Sequence, residues 1–119
     1  MRRRLRESLK VALAMHDHIA TAAIRSAMSA IDNAEAVDVS HAPPPAGTIG
    51  DIRLGVGAGE AARRELSAQD VLGVVQAEVS DRRAAAAEYE RLGRTGEASR
   101  LRAEANALVS VLEAALLEP

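Results

Sequence analysis

Residues 67–117 read SAQDVLGVVQAEVSDRRAAAAEYERLGRTGEASRLRAEANALVSVLEAALL, and their pattern decides the fold. Ser67-Ala68-Gln69-Asp70 has the form of a helix start, a serine N-cap with an acid three positions on. Behind it, Leu72, Val75, Val79, Ala86 and Tyr89 recur at the three-and-four spacing of one helix face. Leu92-Gly93-Arg94-Thr95-Gly96 interrupts that row and places a glycine where a helix end needs a residue tolerant of positive φ. The row restarts at Leu101, Ala105, Leu108, Leu112 and Ala115. Two long helices joined by a tight connection form an antiparallel hairpin, and the remaining chain is expected to cover it. The pattern itself carries no chemistry.

Toward the amino end, Leu5, Leu9, Ala12 or Leu13, and His16 follow helical spacing, predicting a first helix from about Arg2 to Met15. Asp17 reads as the N-cap of a second, from about His18 to Ala36, with Ala20, Ile24, Ala27 or Met28, Ile31 and Ala34 inward. His16-Asp17-His18 leaves room only for a sharp corner. From Val37 to Glu65 the composition changes: Pro43-Pro44-Pro45 is stiff and extended, and Gly47, Gly50, Gly55, Gly57 and Gly59 punctuate the stretch after it. Thr48, Ile49, Ile52, Leu54 and Val56 have strand character but no partner strand, so residues 37–65 are expected to be a flexible loop, with a helical tail near Glu60 to Glu65 as an option. The fold class is therefore all-α: a small antiparallel bundle of about four helices with a long Pro/Gly-rich loop between the second and third. One domain is expected over 1–119, built from a hairpin at 1–36, the loop at 37–65 and a long hairpin at 66–119. Pro44→Ser is expected to do little, and Leu108→Asp to unfold the bundle.

Composition narrows the function classes. With 119 residues there is room for one core. The 48% of hydrophobic residues are largely alanine and the only aromatic residue is Tyr89, so the helices must pack through small side chains. Absence of cysteine excludes disulfides and thiolate metal sites. A formal charge of -2 argues against bulk electrostatic binding over the whole surface, although Arg2, Arg3, Arg4, Arg6 and Lys10 make the amino end basic. No apolar run is long enough to span a bilayer, and Glu7, Lys10, His16 and Asp17 interrupt any signal-peptide core, so a cytoplasmic protein with no membrane partner is expected.

Catalytic signatures are missing. His16 and His18 stand two apart, which on a helix points them away from each other, so no metal is expected there; His41 reads as a loop residue. Gly55-Val56-Gly57-Ala58-Gly59 lacks the lysine of a phosphate loop, and no nucleophile elbow occurs. Glu88 and Glu90 have no apolar surroundings to raise a pKa. No cofactor and no catalytic residue is assigned. Arg82 and Arg83 fall between Val79 and Ala86, so at least one borders the apolar seam and requires a carboxylate. Glu78, four residues earlier, and Glu104 on the next helix are the partners for a structural ion pair with Arg82. The other account has Arg82 and Arg83 joining Arg91 and Arg94 in contacting RNA phosphates.

These residues also carry a resemblance. Glu78-Val79-Ser80-Asp81-Arg82-Arg83, Ala86-Ala87-Glu88-Tyr89, Gly93-Arg94, and Leu108 and Leu112 ahead of Leu117-Glu118-Pro119 resemble the GatB/YqeY domain family. Its pattern is Glu-Val-x-x-Arg-Arg, a Glu-Phe/Tyr pair, a Gly-Arg turn and a closing leucine helix before a proline. Leu5-Arg6-Glu7, Asp17, Ile24-Arg25 and Ala30-Ile31-Asp32-Asn33-Ala34-Glu35 are similar to its first two helices. The match covers both helical parts and skips the 37–65 insert. It departs from the family at Pro119, where a small helical tail usually comes next. The resemblance implies a non-catalytic accessory module of a glutamine-dependent tRNA amidotransferase system, with tRNA or an amidotransferase subunit as partner. Carbon-nitrogen ligase activity with glutamine as amido donor is implied only through that link. The alternative is a protein-protein interaction or self-association module without RNA binding, presenting an apolar groove at exposed Val109, Val111 and Leu116.

Overall fold

The computed structural model describes residues 1–41 and 65–117, with the backbone alone over 37–41. Helices α1 (Arg2–Ala14), α2 (His18–His41), α3 (Ala68–Arg91) and α4 (Thr95–Leu116) follow in order, and no strand occurs among the described residues. The α3–α4 hairpin forms the most extensive interface, and α2 and α4 each pack on all three of the other helices.

Local chemistry sets the ends of these elements. At the start of α3, Ser67 Oγ accepts the Asp70 N–H at 3.0 Å, and Asp70 Oδ2 accepts the Ser67 N–H at 3.1 Å. Two otherwise orphaned donors are thereby satisfied together. At the end of α3, Gly93 adopts φ +78°, the Arg94 N–H donates to the Tyr89 carbonyl at 2.8 Å and the Gly93 N–H to Glu90 at 3.0 Å. This pair of bonds is a Schellman motif. The α1–α2 corner repeats it without glycine: His16 takes φ 55°, Asp17 N–H donates to Ala12 at 2.8 Å and His16 N–H to Leu13 at 3.2 Å. Asp17 then turns from closing α1 to opening α2, its Oδ1 accepting the Ala20 N–H at 3.0 Å.

The core is aliphatic. Leu5, Ile24, Ile31, Val75 and Leu108 are its largest fully buried side chains, and Ala23, Ala27, Ala86, Ala98 and Ala105 bring the helix backbones close together. Arg2 of α1 pairs with Asp32 and Glu35 of α2, fastening the open end of the first hairpin.

Several expectations need correction. The second helix does not stop at Ala36 but runs to His41, so the loop does not begin at residue 37. Val37 to His41 contain no helix breaker; the first proline of the sequence is Pro43. Glu65 is not helical, and the rest of the expected loop, 42–64, lies outside the described residues. Val111, expected at the surface, is 4% exposed, because the α1–α2 pair lies against that side of α4. His16, placed in the inward row of the first helix, is exposed at the corner; of Ala12 and Leu13, the two positions left open there, Ala12 turns inward and Leu13 is exposed. On α3 Val71 joins the core and Leu72 is only half-buried.

Candidate functional site

The arginines divide into one that is held inside the hairpin and several that are not. Arg82 is 12% exposed; its Nη1 donates to Glu78 Oε1 at 2.9 Å and its Nε to Glu104 Oε1 at 3.0 Å. Nη1 also reaches the Glu78 carbonyl at 3.2 Å, which ties the side chain back onto its own helix. Burial alone would pull the Arg82 pKa down, but the hydrogen bonds and charges of Glu78 and Glu104 outweigh it, and the net shift is upward. Ser26 of α2 donates to Glu78 at 2.9 Å, and Arg100 of α4 approaches Glu104 at 3.5 Å. One polar clasp therefore links α2, α3 and α4. The expected pairing of Glu78, Arg82 and Glu104 is what the geometry contains. Ser26 and Arg100 were missed, since no local spacing connects either to Arg82.

Arg83, the next residue, is exposed and makes no ion pair with the described residues. Arg91, also exposed, lies about two turns further along α3 and roughly 80° round from Arg83, while Glu90 is nearly in line with Arg83. Glu90 pairs across the hairpin with Arg102 of α4, and Glu88 pairs with Arg91. Beyond the turn, Arg94 binds Glu97 and lies over the Tyr89 ring, 5.4 Å from its centroid. The outer face of the hairpin thus presents arginines alternating with acids, all reachable by solvent. Arg82 is turned away from it.

Histidine contributes nothing comparable. His16 and His18 are exposed at the α1–α2 corner, and the His41 side chain is outside the described set. No group of three or more His, Asp or Glu side chains able to hold a metal ion occurs among the described residues.

An apolar concavity lies elsewhere, between α1, the start of α2 and the last turns of α4. It is a cleft of about 540 Å³ with Ala12, Ile24 and Val111 at its base, and Val11 and Met15 on its rim. Val109, Val111 and Leu116 were expected to form an apolar groove; Val109 is half-buried against the core, Leu116 is exposed, and of the three Val111 alone lines the cleft, at its base.

The fold and these surfaces define an all-helical bundle with a buried arginine clasp, a mixed-charge hairpin face and one apolar cleft. Compared with protein-family models, with curated proteins and with solved structures, the chain matches none. Among the described residues no helix is long and apolar enough to cross a membrane.

Proposed function

We propose that this chain is a GatB/YqeY-like accessory module of the cytoplasm that acts by binding, in a glutamine-dependent tRNA amidotransferase system, with tRNA held on the outer face of the α3–α4 hairpin. The observation that carries the reading is the division between neighbouring arginines. Arg82 braces the hairpin from inside, and Arg83 projects outward to solvent, as Arg91 does two turns further on. The residues that carry the family resemblance also shape this hairpin: Glu78 and Arg82 form the clasp, Gly93-Arg94 the turn, and Leu108 the core. A folded tRNA offers phosphates at fixed spacing, which suits a rigid arginine face better than the splayed bases that aromatic platforms stack. Carbon-nitrogen ligation with glutamine as amido donor belongs, in this reading, to the partner enzyme.

Filter retention of deacylated tRNA, titrated over salt, tests the proposal. Retention should weaken steeply with salt, and Arg83→Glu with Arg91→Glu should flatten the slope by about two units, roughly one per lost phosphate contact. Absence of salt-sensitive retention at micromolar protein rejects it.

A second reading is favoured by one specific observation, the apolar cleft. Val11 and Met15 at its rim are 62% and 73% exposed, and they adjoin a recessed apolar floor at Ala12, Ile24 and Val111. In that reading the cleft receives a protein partner or a second copy, and RNA is not required.

A further inference from the structure

The charge at the cleft narrows what it takes. Its lining is apolar or serine except at Glu7 and Asp17, both acidic. Because α1 and α2 are antiparallel, Glu7 stands with Ile24 at one end, and Asp17 with Met15 at the other. α1 rises about 10 Å, some two helical turns, from Glu7 to its end at Ala14, and Asp17 lies in the corner just past that end. Glu7 is loosely engaged, with Arg3 at 3.9 Å and both side chains exposed. Asp17 commits Oδ1 to its cap, leaving its second oxygen without a partner among the described residues. No strand edge is present among those residues to accept an extended peptide, so a helix laid into the groove is the mode that fits.

We infer that the cleft is a docking site for a partner protein's amphipathic helix that carries an apolar i, i+3 or i+4, i+7 row with a lysine or arginine at each end. The apolar row covers Val11, Met15 and the floor at Ala12 and Val111. The two cations meet Glu7 and Asp17, which set the register of the helix more than its affinity. The inference rests on the protein-docking reading above and is independent of tRNA contact.

Two synthetic helices with one shared apolar row, the first flanked by lysines and the second by glutamates, test it against the full chain by fluorescence anisotropy and amide NMR. The lysine-flanked helix should bind and shift the resonances of Val11, Met15 and Ser110. The glutamate-flanked helix should bind about tenfold more weakly, and Met15→Glu should weaken the lysine-flanked one by at least about tenfold, the loss expected when an apolar contact of the rim becomes charged. Met15 is 73% exposed, so the variant should keep its fold, and its far-ultraviolet dichroism and melt verify this. Glu7→Lys should reduce the preference between the two helices. Equal binding of both helices overturns the charge assignment while leaving docking in place; no binding of either overturns both. A wild-type dimer in sedimentation that Met15→Glu disperses would assign the cleft to a second copy and overturn the inference.

Discussion

Two residues with positive φ close the two hairpins, and they differ in what a substitution costs. Gly93 at φ +78° has nothing within 4 Å of where a Cβ would stand, so Gly93→Ala should cost only its backbone strain. That strain is about 1 kcal/mol, readable as a fall in the urea midpoint with an unchanged slope. His16 occupies the equivalent position of the first corner at φ 55°. His16→Gly should be neutral or mildly stabilising, whereas His16→Val should cost about 1–2 kcal/mol, because a β-branched side chain is least tolerated there. Equal midpoints for the glycine and valine variants would contradict the corner geometry. Gly93 was legible in the sequence as a helix end. His16 was legible only as part of a sharp corner, since histidine does not advertise a left-handed conformation and its spacing matched the row of α1.

At the scale of the element, the α3–α4 hairpin is held by its caps, its seam and the clasp at Arg82. Ser67→Ala removes one half of the reciprocal cap and should cost about 1 kcal/mol. Arg82→Met leaves Glu78 and Glu104 without their shared cation, and both carboxylates are less than a fifth exposed. The expected loss is about 2–3 kcal/mol, below the fully buried range because Arg100 and Ser26 still reach the two acids. The pH dependence has a definite sign. A folded-state pKa raised above the unfolded one contributes stability that is complete below the unfolded value and lost only as pH rises through the folded value. For arginine both values are strongly alkaline, so the difference in melting temperature between wild type and Arg82→Met should not fade between about pH 6 and pH 9. A difference that vanishes within that range would place the charge elsewhere. Glu78 and Glu104 were legible as partners from the four-residue step and the hairpin expectation. The link to α2 through Ser26 was not, because it spans 52 residues of sequence and depends on how the two hairpins dock.

Across the whole molecule, four short apolar rows were enough to indicate an all-helical bundle, and Leu108, fully buried, is a core residue as its row required. Leu108→Ala should therefore cost about 3 kcal/mol, against almost nothing for Leu117→Ala, which is 84% exposed. Burial at the sides of each row escaped the pattern. Val111 depends on the angle at which α1 and α2 settle on α4, which one helix's periodicity does not encode. The cleft followed the same rule: it belongs to the junction of three helices, and none of them shows it alone. The outer arginine face was legible as residue types, but its separation from Arg82 required the fold. Amide NMR of the isotopically labelled chain, titrated with deacylated tRNA at low salt, tests the proposed binding most directly. The account predicts shifts concentrated around Arg83, Arg91 and Arg102, with Val75 and Leu108 unmoved. No perturbation at stoichiometric tRNA, or shifts confined to the cleft around Met15 and Val111, would contradict it.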